Sequence, residues 1–149
     1  MNKSKLSESN FLLWGLICEV SHLVLLTRQK ELSQYKIPVR QYELLRNIQA
    51  EGSKATLTQV AKRVQREVHV ISRQTVSLEK EGLIKRTKNT SRSTLLTLEV
   101  TKKGLEMIEI ARHSRSIDGI FSSLSSEDRK QIELILNRIL VKVKKYNRD

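Results

Sequence analysis

His69, Ser72 and Arg73 fall at spacings that suit recognition of a nucleic acid. Over residues 67–81 Ile71, Thr75 and Leu78 recur every three or four residues, the mark of a helix with one inward stripe. That stripe turns His69, Ser72, Arg73 and Val76 outward and leaves Val70 at one flank. An outward Arg can present its guanidinium fork to guanine, His69 and Ser72 can hydrogen-bond to bases or phosphates, and Val70 or Val76 can meet a thymine methyl group. Further along, Arg86, Lys88 and Arg92 punctuate a β-rich basic stretch. All three suit phosphate contacts, and Arg92, at the expected tip of a hairpin, suits insertion into a narrow minor groove.

Other chemistry finds little support in the sequence. No Ser/His/Asp set, glycine-rich phosphate loop or paired-carboxylate pattern stands out, so no catalytic residue and no enzymatic activity are expected. His22, His69 and His113 are too scattered to propose a metal site, and a single Cys excludes both a disulfide framework and a cysteine-built zinc site. No cofactor is expected. Cys18 is a candidate oxidation sensor, although it sits in an apolar run with no cationic neighbour to favour the thiolate. Trp14 and His22 in the same run are candidates to line an effector pocket, with core packing as the ordinary use of both.

The elements that must carry these residues are mostly helical. Five Gly and one Pro in 149 residues disfavour a turn-rich sandwich or barrel. Hydrophobic spacing and cap residues predict helices over 9–33, 38–50, 58–64, 67–81 and 102–120, and a sixth reaching 146 that is capped by the run Ser125-Ser126-Glu127-Asp128. Two short β-rich runs, 83–88 and 94–100, flank a polar turn over 89–93 and predict a hairpin. The fold class is therefore mainly α: a winged helix-turn-helix of about six helices plus a β-hairpin wing.

Charge locates the partner. The chain carries a net charge of +12, and residues 53–104 hold twelve Lys and Arg against four Asp and Glu, so two thirds of the excess lies on the predicted helix-turn-helix and wing. An aromatic share of 4% argues against stacking platforms for single strands and leaves duplex DNA as the expected polyanion. The apolar run 11–26 is 16 residues long and contains Glu19, Ser21 and His22, which reads as too short and too polar to span a bilayer. Ile17 precedes Cys18 where a lipoprotein signal needs a small residue. No membrane partner is expected, and the location expected is cytoplasmic. Leu12, Leu13, Leu16, Ile17, Val20, Leu23, Val24 and Leu25 cover nearly the whole first helix, and the last helix adds Leu134 and Val141 to a stripe from Ile132 to Val143. Such coverage exceeds what a half-buried helix needs and predicts a dimer.

The run Leu57-Thr58-Gln59-Val60-Ala61-Lys62-Arg63-Val64, the tetrapeptide Val70-Ile71-Ser72-Arg73 and the segment from Leu78 to Arg86 resemble the multiple-antibiotic-resistance regulator (MarR) family, as does Leu98-Glu99-Val100-Thr101-Lys102-Lys103-Gly104. With the terminal helices, the similarity covers essentially the whole chain, 1–149, as one domain with dimerisation helices over 9–33 and 102–146 and a DNA-binding region over 38–101. The resemblance implies an obligate homodimer, a palindromic operator, transcriptional repression, and a small-molecule or oxidant signal read near the dimer interface. Three positions depart from the family pattern: Gln65 replaces the usual turn Gly, Arg66 replaces an apolar residue and can face phosphate, and the wing keeps only Arg92 of the usual Asp-x-Arg. The alternative function is a general nucleic-acid or architectural protein without strong sequence preference.

Overall fold

The computed structural model describes residues 3–88, 95–113 and 115–147. In chain order the elements are α1 (Lys3–Ser33), α2 (Val39–Glu51), β1 (Ala55–Thr56), α3 (Leu57–Val64), α4 (Val68–Lys80), β2 (Ile84–Lys88), β3 (Leu96–Val100), α5 (Lys102–Arg112), α6 (Arg115–Phe121) and α7 (Ser126–Tyr146). They form two compact units that divide between residues 114 and 115.

The first unit is a winged helix-turn-helix, and its boundaries follow from local chemistry. Thr56 accepts from the Gln59 backbone N–H while the Gln59 side chain accepts from the Thr56 N–H, a reciprocal cap that starts α3. Gln65 ends α3 at φ 53, ψ 48, the left-handed conformation that Gly adopts freely, so the turn keeps that geometry with a side chain in place. Ile71, Thr75 and Leu78 are all buried, as their spacing predicts. Ile71 and Leu78 join Leu45 and Ile48 of α2, Val60 of α3, Leu98 of β3 and Ile108 of α5 in one core.

The hairpin is part of a three-stranded antiparallel sheet in the order β1-β3-β2. The two-residue β1, which the alternation pattern is too short to reveal, pairs Ala55 with Leu98. In the wing, Lys85 lies opposite Glu99 and Lys88 opposite Leu96. Arg92 and the rest of residues 89–94 lie outside the described residues.

Two expectations about the helices change. The predicted helix over 102–120 stops at Arg112, where His113 leaves helical geometry at ψ 73. The Ala111 carbonyl, which in a continuing helix would accept from residue 115, instead accepts from the Arg28 guanidinium of α1. The second change concerns α1, which starts at Lys3 rather than at the expected residue 9 and carries the 16-residue apolar run within one unbroken helix of 31 residues. Its residues Lys5–Ser33 are long and apolar enough to cross a membrane, so shortness no longer excludes that reading.

Only the C-terminal end of α1 is anchored in this unit. Leu32 packs with Ile37 and Ala111, while Arg28, 8% exposed, pairs with Glu31 at 2.7 Å and lies over the Tyr42 ring. Most of the described remainder is exposed, with Phe11 at 71% and Leu12 at 72%. In the second unit, Ser125 and Asp128 form a reciprocal cap that starts α7, and none of the residues of α7 is buried within the chain.

Candidate nucleic-acid interface

The sequence-predicted reading face is formed on α4. His69 and Arg73 project into solvent, Ser72, Val70 and Val76 are half-buried beside them, and the inward stripe locks the helix against the core. Arg73 has no ion-pair partner among the described residues. Its five N–H donors are therefore available to an acceptor in a groove. Thr75 donates its buried hydroxyl to the Ser72 carbonyl at 2.8 Å, which satisfies the one polar group of the inward stripe.

The wing separates its basic residues by strand geometry. Side chains alternate across a strand, so Ile84, Arg86 and Lys88 share one face of β2. Ile84 is buried and Lys88 is exposed at the outer end. Arg86 lies between them, half-buried, with its backbone N–H donating to Glu79 of α4 at 3.0 Å and its guanidinium 3.9 Å from the same carboxylate. Arg86 thus ties the wing to α4 instead of reaching outward, and Lys88 is the described cation at the outer end of the wing. Arg66, in the turn between α3 and α4, is exposed.

The base of the wing is fixed to the end of α4 by a dense set of contacts. Thr101 donates its hydroxyl to the Gly82 carbonyl at 2.7 Å and accepts from the Gly104 N–H at 3.1 Å. The Lys103 ammonium donates to the Glu81 carbonyl at 2.8 Å. The absent side chain of Gly104 leaves room for the Leu83 carbonyl, which a Cβ would strike.

A protein-family model described as HVO_A0114 matches residues 37–112, just over half of the chain. The chain belongs to the HVO_A0114 family. No curated protein sequence matches it. Among solved structures, this HVO_A0114-family chain is similar to AbsC, a MarR family transcriptional regulator from Streptomyces coelicolor, at 22% identity and TM-score 0.80, covering 97% of each chain. It is also similar to Staphylococcus aureus MepR in a DNA complex, at 24% identity and TM-score 0.75, covering 86% of this chain and 95% of that one. A third likeness, to the organohalide-sensing RdhR-CbdbA1625 regulator with bound 2,4-dichlorophenol, has 22% identity and TM-score 0.78, covering 93% and 83%. The fold of this HVO_A0114-family member is therefore the MarR-like winged helix.

The candidate sensor residues of this family member occupy a different place from the reading face. Trp14, Cys18 and His22, four residues apart, form one stripe along α1, and all three are exposed. Trp14 packs edge-on against Phe11 with ring centroids 5.6 Å apart. Sequence reasoning missed Arg28, whose burial depends on α1 meeting α2 and α5. It also missed Arg40 and Arg46 of α2, which line a recess with Arg63 and Arg66. The four arginines were legible as types, but their convergence across three elements has no sequence period.

Proposed function

We propose that the protein is a homodimeric, sequence-specific DNA-binding transcription regulator that represses by occupying its operator. The observation that carries this reading is the exposed Arg73, without an ion-pair partner among the described residues, beside His69 on a helix locked into a MarR-like winged helix. In it α4 enters the major groove, with Arg73, His69, Ser72 and Val70 toward the bases or nearby phosphates, while Arg66 and Lys88 meet the backbone. Arg92 serves the wing tip, and Arg86 acts as a positioning residue. The MepR–DNA complex lends the reading support as a protein of this fold bound to DNA.

Dimerisation is the proposed reason for the bare faces of α1 and α7. A second copy buries them, and the Trp14-Cys18-His22 stripe then lies near the interface, where a small apolar effector or an oxidant is read. This reading puts the protein in the cytoplasm, without a membrane partner or catalytic activity.

The test is footprinting on the DNA flanking the protein's own gene. Protection of a two-fold-symmetric site with half-sites about one helical turn apart is expected. Uniform coverage of every duplex would instead identify a general nucleic-acid binder. Recovery of the protein with the membrane fraction would overturn the dimer account of α1.

A further inference from the structure

We propose a second DNA-contacting site, a phosphodiester-binding trough between α2, α3 and α4 in which Arg40, Arg46 and Arg66 receive the DNA backbone on the flank of α4 away from the wing. The proposal rests on the DNA-binding reading and extends it to α2. The trough begins as a recess of about 240 Å³, lined by Arg40, Glu43, Arg46, Arg63, Arg66 and Gln74 among others. A water's share of liquid volume is about 30 Å³, so a phosphate group with several waters fits. An adjacent recess of about 190 Å³ shares Arg40, Leu44 and Gln74 as lining and reaches Ser77 of α4.

Charge within the trough is directed. Arg63 is already committed, donating to Asn47 at 3.2 Å and to Glu51 at 2.9 Å, which also neutralises Glu51. At the Ser77 end, Glu81 accepts from Gln41 at 2.8 Å and from Ser77 at 3.1 Å. Arg40, Arg46 and Arg66 have no ion-pair partner among the described residues, and Glu43 is the one carboxylate lining their end. Three uncommitted guanidiniums facing one carboxylate leave a surplus that an anion can satisfy.

The position on α4 identifies the anion as DNA backbone. Ser72 and Glu79, seven residues apart, share the flank that meets the wing through Arg86. Gln74 lies on the other flank and lines the trough, with Arg73 between the two. The reading face is thus bordered by cations on each side: Lys88 beyond the wing flank and the arginine trough beyond the other. Two adjacent open recesses that share Arg40 and lie beside the proposed reading helix match successive phosphates of one strand better than they match a single compact anion.

The probe is a duplex of random sequence three helical turns long, titrated with the full chain over a salt series. In the double variant Arg40→Gln/Arg46→Gln, the slope of log affinity against log salt should become shallower by about 1 to 2 per protomer, at about 0.9 for each phosphate no longer neutralised. Arg40→Lys/Arg46→Lys should keep most of the slope, and Lys30→Ala, which removes one charge from α1, should leave it unchanged. Matching thermal unfolding of the Gln and Lys pairs separates weakened DNA binding from unfolding. An unchanged slope in the Gln pair, with Arg73→Ala still weakening binding, overturns the trough and leaves the DNA reading intact. Failure of the unaltered protein to bind duplex overturns both.

Discussion

Arg73 and Arg86 belong to the same basic segment, yet their surroundings assign them different work. Arg73 leaves α4 exposed, whereas Arg86 folds back on Glu79 because position 86 shares a strand face with the buried Ile84. Arg73→Ala is expected to weaken operator binding by one to two orders of magnitude, about 1–3 kcal/mol, and to weaken random duplex less if it reads a base. Equal loss on both DNAs, measured by competition, would assign Arg73 to phosphate. Arg28 is the other residue whose environment decides its role. Its guanidinium joins α1 to the end of α5 and to Tyr42, so Arg28→Ala leaves the Ala111 carbonyl without that partner. A loss of about 2 kcal/mol in unfolding free energy is expected, with faster amide exchange at the C-terminal end of α1. Unaltered stability and exchange would show that the clamp carries nothing.

Among the elements, the junction between β3 and α5 explains why two separate sequence segments carry the family resemblance. Leu78 to Arg86 and Leu98 to Gly104 meet in space, where Thr101 and Lys103 bind the last carbonyls of the α4 turn and Gly104 lets the two segments approach. A methyl group at Gly104 would collide with the Leu83 carbonyl, which is held by the Thr101 N–H, and with the Val100 side chain of β3. Gly104→Ala should therefore cost about 3 kcal/mol, seen as a lower melting temperature and weaker DNA binding together. Native stability in that variant would mean the junction yields. At the start of α7, hydrogen bonds from the Ser125 hydroxyl and backbone N–H hold the Asp128 carboxyl below its ordinary value of 3.8. A carboxyl lowered by folding contributes stability above its unfolded value and loses it as pH falls through the lowered one. This cap should persist through mild acid and fade only below pH 3.8. A titration midpoint for Asp128 at or above that value would contradict the cap.

For the whole molecule, the decisive quantity is apolar surface left uncovered within one chain. Large side chains from Phe11 to Leu26 on α1 and from Ile132 to Val143 on α7 are exposed together, more than isolated surface residues explain. Sedimentation should report a dimer at micromolar concentration, and Leu16→Lys combined with Val20→Lys should shift it toward monomer and abolish operator binding with it. A monomeric parent protein would refute the dimer account. The length of α1 sharpens this test, since an exposed apolar helix of 31 residues must be covered by protein or by lipid. The partly buried Arg28–Glu31 pair near its end favours protein, because Arg28, held against the Ala111 carbonyl of α5 and the Tyr42 ring, ties that end of the helix into the folded unit.

What the sequence determined by itself was whatever repeats locally. Helical spacing set the inward stripe of α4 and hence its outward residues, cap residues set the starts of α5 and α7, and composition placed the positive charge in the middle of the chain. Each depends on neighbours within a turn or two. What the tertiary structure alone decided was every feature that needs distant segments to meet. The two-residue β1 exists because β3 offers it a ladder, α5 stops where Arg28 takes its carbonyl, and Arg86 is withdrawn by Glu79. The arginine trough likewise forms because α2, α3 and the turn before α4 are folded against one another, and sequence order gives no spacing from which that convergence could be read.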